Sequence, residues 1–212
     1  MKILAIGAHF DDVELGCGGT LLKHRDAGDQ IYILVVSHSG YRSQTLRFSR
    51  LKKVAKQEGI KSAKILGAKL FCCNKTPTII IPTEKLVLDL ELIVNKIQPD
   101  RVYTHSAYDC HADHAAIGFT SLRACRKCPE IFTYRSNWYI INGANGEIDD
   151  NYYVNISEYI EQKERLMRIF ESEMKKVNYT WIDFVKAQNK ASGAKVGVDF
   201  AETFRCIKMF WK

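Results

Sequence analysis

The sequence predicts an α/β fold in which a mostly parallel sheet is flanked by helices, and three observations predict it. Short apolar, β-branched runs alternate with segments of helical periodicity along the first half of the chain. The connections between successive runs are long enough for parallel crossovers. The run over residues 31–36 is apolar at every position, as expected of a strand covered on both faces.

Residues 2–8 read as a buried first strand. Residues 18–27 read as a helix, with Gly28 in the stop position just past its end. After the strand at 31–36 comes a basic helical stretch over 49–58, then short strands around 63–66 and 70–73. Pro82 and Thr83 introduce a helix on which Leu86, Leu90, Ile93, Val94 and Ile97 share one face, and Pro99 ends it. Residues 101–104 form the next strand, and a helix begins near His111. Between 131 and 156 the chain is rich in β-branched and aromatic residues, broken by the turn signals Asn142-Gly143 and Asn145-Gly146. Ser157 caps a helix whose Ile160, Lys163, Met167, Phe170 and Met174 form one stripe, a core face rather than a cofactor box. Residues 178–212 are partly helical and close on an apolar run from Phe200 to Trp211. With no repeat or low-complexity tract, the chain reads as one domain over residues 1–212.

Composition narrows the function classes. The N-terminal apolar run stops at His9, too early for a signal peptide, and no segment reaches the ~18 apolar residues of a membrane helix. A cytoplasmic protein is expected. Seven cysteines, an odd number without an export signal, argue against a disulfide framework. Cys125 and Cys128 form a single C-x-x-C, where a structural zinc site would want a second pair. The net charge of +7 favours an anionic partner, but no nucleic-acid-binding signature accompanies it, so no nucleic acid is expected.

Two strings carry the chemistry. His9-Phe10-Asp11-Asp12 follows the first strand directly. Asp109-Cys110-His111-Ala112-Asp113-His114 follows the strand at 101–104. Ligands of open parallel sheets bind at the carboxyl ends of the strands, so both strings are expected in one crevice. His111 and His114 are three apart and share a face of a first helical turn. Each string alone reads equally well as residues capping a turn or helix. Together they supply three to five nitrogen and oxygen ligands without a thiolate set, which fits a catalytic zinc site with three protein ligands and an open position. The surplus carboxylates beside such a site provide a general base for a hydrolase. Gly16, Gly18 and Gly19 invite a dinucleotide reading, but His9 to Asp12 occupy the turn where that fingerprint needs glycines. Close packing of the helix on the sheet explains them better.

The run from Ala8 to Leu21, AHFDDVELGCGGTL, resembles the signature A-H-P-D-D-x-E-x-x-x-G-G-T-L of LmbE-like (PIG-L) N-deacetylases, and DCHADH at 109–114 resembles that family's D-x-H-P-D-H. Glu58 with Leu66-Gly67, Ile156-Ser157 with Lys163, and Ala201-Glu202-Thr203-Phe204-Arg205 match further family features, so the resemblance runs from Met1 to about Cys206. It implies a Rossmann-like, LmbE-like deacetylase fold and Zn2+ held by His9, Asp12 and His114. It implies Asp11 as general base, and His111 as the imidazole that stabilises the oxyanion in its protonated form or protonates the leaving amine. Asp113 would orient His111. The implied reaction removes the N-acetyl group of an N-acetylglucosaminyl-type sugar or conjugate. The alternative is a zinc hydrolase of a lactam or other amide in natural-product metabolism.

Three departures qualify the match. Phe10 and Ala112 replace the two usual prolines, which bears on loop rigidity. Ala55 stands where the family often has an arginine, leaving Arg42, Arg47 and Arg50 as alternatives for substrate binding. Asp109 stands where some members carry a tyrosine, and Tyr108 is nearby but unaligned. The expected partner is a small acetylated amino sugar, with an anionic substituent favoured weakly by the net charge. A homo-oligomer is left open.

Overall fold

The computed structural model describes residues 1–43, 48–136 and 150–210. In chain order the elements are β1 (Lys2–Gly7), α1 (Asp12–Asp26), β2 (Gln30–Ser37), β3 (Tyr41–Ser43), β4 (Phe48–Arg50), α2 (Lys52–Ile65), β5 (Lys69–Lys75), α3 (Glu84–Ile97), β6 (Arg101–His105), α4 (Ala112–Ala124), β7 (Glu130–Tyr134), β8 (Tyr152–Asn155), α5 (Ile160–Arg168), α6 (Glu171–Met174), α7 (Thr180–Lys195) and β9 (Ala201–Met209). Seven strands form one sheet in the order β5-β2-β1-β6-β7-β9-β8. The first five of these pair in parallel, and β9 and β8 close the edge antiparallel. This is the expected mostly parallel sheet flanked by helices.

Both faces of the sheet are covered, which is why β1 and β2 read as continuous apolar runs. Ile3 and Ala5 of β1 pack into one core with α1, α2, α5 and α7, while Leu4 and Ile6 pack into a second core with α3 and α4. From β1 the chain builds outward through β2 and β5, then returns to place β6 on the other side of β1. The strand order therefore reverses between β1 and β6, and the crevice at their carboxyl ends is where such sheets bind ligands.

Several boundaries differ from the sequence reading. Residues 63–66 are the last turn of α2, not a strand. Ala55, Gly59, Ala63 and Leu66 are buried at helical spacing, and that tertiary burial overrides the short apolar run. The helix expected from 49 starts at Lys52, because β4 pairs with β3 up to Arg50. The stripe from Ile160 to Met174 is broken: α5 ends at Arg168, and Phe170 turns the chain with a non-helical ψ of 52°. The turn signals between 142 and 146, Arg47 and Trp211 lie outside the described residues.

The helix expected from Gly18 starts earlier, at Asp12, and is kinked at Cys17, where φ is −142°. The kink frees two backbone N–H groups, which the buried Glu202 carboxylate accepts: Gly19 at 2.8 Å and Thr20 at 2.7 Å. Lys163, fully buried, pairs with Glu202 at 2.6 Å and donates to Asn189. The glycines allow close approach. A Cβ on Gly16 would sit 2.1 Å from the Tyr134 ring, and one on Gly19 2.9 Å from Ile156. They let α1 pack closely on Tyr134 and Ile156.

Candidate active site and metal centre

β1 ends at Gly7 and α1 begins at Asp12, so four residues turn the chain out of the sheet. Asp11 occupies the turn with φ 131°, a region that disfavours any residue with a Cβ. Phe10 stands where a proline was expected, and it holds the turn by other means. Its N–H donates to Ser39 Oγ at 2.8 Å, a bond proline cannot make, and its ring is buried against Gly59. His111 caps α4, its Nδ1 accepting the Asp113 N–H, and this sets His114 one turn into the helix.

The two strings meet. His114 Nε2 lies 3.1 Å from Asp12 Oδ1 and 3.3 Å from His9 Nδ1, and His9 Nδ1 lies 3.4 Å from Asp12 Oδ2. Tetrahedral zinc with bonds of about 2.0–2.1 Å sets its ligand atoms about 3.3 Å apart, and these contacts, in which Asp12 offers a different oxygen to each ring, have that spacing. The far nitrogens are held by carboxylates, as in metal-ligating histidines generally. His9 Nε2 pairs with Asp113 Oδ2 at 2.9 Å, and His114 Nδ1 with Asp109 Oδ2 at 3.3 Å. Chemistry and spacing of the donors both fit zinc.

Asp113 differs from expectation in its partner. Its carboxylate faces His9, not His111, and accepts the N–H groups of Thr78 and Ile80 at 2.6 and 3.1 Å. Its backbone N–H, not its side chain, orients His111.

His105 was not singled out by sequence, although it ends β6 one residue past the predicted strand. Its Nε2 lies 3.1 Å from both Asp12 Oδ2 and the Ala8 nitrogen, and its Nδ1 is buried without a partner. Asp12, His105 and His114 form one three-donor group, and His9, His111 and His114 another.

The electrostatics separate the roles. Burial pushes the Asp11 carboxyl well above its usual range, aided by Asp12 and Glu173 and opposed by Arg50. Burial acts the same way on Asp12 but is overcome by His114 and His105, which hold it well below. Burial disfavours the charge on His9, yet hydrogen bonds to Asp113 and Asp12 hold it up at about 9. His114, also opposed by burial, is held at about 10 by Asp12 and Asp109. Burial and the neighbouring His114 and His9 bring His111 down to about 4. Its resting ring is therefore neutral, not protonated. Because Nδ1 accepts a backbone N–H, the proton of the neutral ring sits on Nε2.

Among the described residues, Arg50 is the arginine that reaches the site. Its guanidinium is buried and donates to Glu58, Ser172 and the Phe10 carbonyl at 2.9, 2.8 and 3.2 Å. Arg42 is exposed, at a wider depression that holds none of the metal donors. Tyr108 is exposed and does not line the pocket. The pocket itself has a volume of about 260 Å³ and is lined by His9, Asp11, Asp12, His111 and His114 together with Arg50 and Ser136. Glu173 and Lys176, which also line it, come from the far end of the chain and carried no signal in the sequence.

Among known proteins, an uncharacterized deacetylase of Escherichia coli, YaiS, is 36% identical over 151 residues, covering 64% of this chain and 75% of that protein. The diacetylchitobiose deacetylase of Thermococcus kodakarensis is 27% identical over 97% of this chain and 83% of its own. The solved structure of N,N'-diacetylchitobiose deacetylase from Pyrococcus horikoshii, bound to its inhibitor MPG, superposes with a TM-score of 0.83 at 24% identity, covering 97% of this chain and 83% of that one. The family model for GlcNAc-PI de-N-acetylase (PIG-L) matches residues 4–125, a span that takes in both strings and the strands β1 and β6 that they follow. With more than half of its length inside that match, the chain belongs to the PIG-L family of de-N-acetylases.

Proposed function

We propose that this protein is a zinc-dependent N-deacetylase that hydrolyses the acetamido group of an N-acetylglucosaminyl-type sugar, releasing acetate and a free amine. The observation that carries the reading is the cluster of His9, Asp12 and His114 donor atoms beside a strained, buried Asp11 and a donor-poised His111. The homologous diacetylchitobiose deacetylase supports the sugar.

In this reading His9, Asp12 and His114 would hold zinc, which when bound would supply the Lewis acidity that polarises an amide carbonyl and acidifies water. Asp11, with its raised pKa, removes a proton from water as the water oxygen bonds to the carbonyl carbon. His111 Nε2–H donates to the oxygen that gains charge, and being neutral at rest it adds no positive charge beside the metal. Asp11 then returns its proton toward nitrogen as the C–N bond breaks, leaving acetate and the amine. Asp113 and Asp109 fix the rings of His9 and His114 and raise their basicity.

No helix among the described residues is long and apolar enough to cross a membrane. Seven free cysteines support a reducing, cytoplasmic setting. We read residues 1–212 as a single domain. The deciding experiment supplies the purified chain with zinc and a panel of N-acetyl amino sugars, and measures acetate and amine together. Equal amounts of both are expected. No acetate from any acetamido sugar, with zinc bound, would transfer the reading to a lactam or another amide.

A further inference from the structure

We propose that Glu173, flanked by Tyr41, Lys176 and Trp181, is the sugar-recognising wall of the pocket, and that Glu173 Oε1 accepts a hydrogen bond from a ring hydroxyl of a neutral sugar. The identity of that ring as an acetamido sugar rests on the deacetylase reading above.

Glu173 lines the same cavity as Asp11 and the donor cluster, yet only 3% of its surface is exposed. Its two oxygens are treated unequally. Oε2 accepts from Lys176 Nζ at 2.7 Å and from Tyr41 Oη at 3.1 Å. Among the described residues Oε1 has no hydrogen-bond partner, and the Arg50 guanidinium stands 3.6 Å away, engaged with Glu58 and the Phe10 carbonyl. An ionised carboxylate can only accept, and leaving a buried acceptor unmet is costly, so the complement of this wall is a donor. A sugar hydroxyl is such a donor. Tyr41 and Trp181 add aromatic surface for the apolar faces of a pyranose.

The same inventory disfavours an anionic substituent here, although the chain carries a net charge of +7. Both long cations of the pocket are already paired, Lys176 with Glu173 and Arg50 with Glu58. A phosphate or carboxylate at this wall would face Glu173 with no unpaired Lys or Arg among the described pocket residues to offset it. The volume of about 260 Å³ lies just below the usual ~300 Å³ lower end of ligand pockets, room for one ring and its acetamido group. Any aglycone would lie outside the mouth.

Glu173 also acts on Asp11 through charge, so turnover would mix two effects. Binding is therefore read calorimetrically in the zinc-loaded Asp11→Asn protein, with N-acetylglucosamine, each of its monodeoxy analogues and its 6-phosphate. One monodeoxy analogue should bind about 10–100-fold more weakly than the parent, the range of a hydrogen bond to a charged group. Glu173→Gln should weaken the parent by a similar factor and that analogue hardly at all. The 6-phosphate should bind no better than the parent. Equal binding of all monodeoxy analogues, an equal penalty of Glu173→Gln on every sugar, or tighter binding of the phosphate would each overturn the proposal. The deoxy and phosphate comparisons need no change at Glu173, so they decide even if Glu173→Gln does not fold. Glu173-dependent binding without acetate release by the Asp11 protein would sink the deacetylase reading alone. Acetate release with Glu173-independent binding would sink the wall alone.

Discussion

His105 Nε2 lies 3.1 Å from Asp12 Oδ2, and the His105 ring stacks on His114 at 4.2 Å between centroids and 13° between planes. One fully buried imidazole thus touches two of the three candidate metal ligands. The same Nε2 faces the Asp12 carboxylate, which can only accept, and the Ala8 N–H, which donates toward it, so His105 braces Asp12 against the end of β1. Replacing His105 by Phe keeps the stack and removes the hydrogen bond. Zinc affinity should fall about 10–100-fold, the usual cost of losing such a partner, while one zinc per chain still binds at saturation. Complete loss of zinc would make His105 a ligand, since Asp12, His105 and His114 are themselves a three-donor group.

The ligand set is tested by His9→Ala and His114→Ala, each of which should empty the site. Asp109→Asn and Asp113→Asn should retain zinc with affinity lowered about 10–100-fold, because their carboxylates hold the far nitrogens of those rings. Metal analysis at rising zinc concentration separates the two behaviours. Full occupancy in His9→Ala and His114→Ala would reject the assignment.

Asp11→Asn should keep its zinc and lose about 10²–10⁴ in kcat, the usual contribution of a general base. The base works only when ionised, so the rate should fall on the acid side as Asp11 takes up a proton. An acid limb that survives unchanged in the residual activity of Asp11→Asn would assign it to another group.

Protons compete with the metal. In the metal-free chain His9 titrates at about 9 and His114 at about 10, against 6.5 for an unperturbed histidine. The stability these raised values contribute is fully present below pH 6.5 and is lost as pH rises through 9 to 10. Zinc runs the other way, since both rings must lose their protons to bind it. Below about pH 9 the apparent affinity should rise by about 100-fold per pH unit, one factor of ten per proton released. Thermal denaturation with and without zinc should therefore show a gap that widens from pH 6 to pH 9. A gap independent of pH would mean that these two rings do not bind the metal.

Glu202→Ala should destabilise the fold by about 3–5 kcal/mol, because it leaves the buried Lys163 ammonium unpaired and frees the Gly19 and Thr20 N–H groups. Urea denaturation reads this directly. A loss below about 1 kcal/mol would show that water or Asn189 compensates.

The sequence by itself determined the elements whose signals are local. Residues 31–36 are apolar at every position, and α3 has an apolar face at helical spacing, a Thr83 cap and a proline just beyond its end, so both were legible. The same holds for His9, Asp11, Asp12, His111 and His114, which sit in two short strings at strand ends. Tertiary structure decided whatever depends on packing between distant segments. Ala63 and Leu66 belong to a helix because they are buried beside Ala55, not because of their own pattern. Asp113 serves His9 across 104 residues rather than His111 two residues away, because His111 caps α4 and turns its ring from the Asp113 carboxylate. His105, Arg50 and Glu173 enter the site through β6, β4 and α6, separated by more than a hundred residues at the extremes. Burial patterns are written in local periodicity, but a hydrogen bond between remote side chains is fixed only when the sheet order and helix packing bring them within 3 Å.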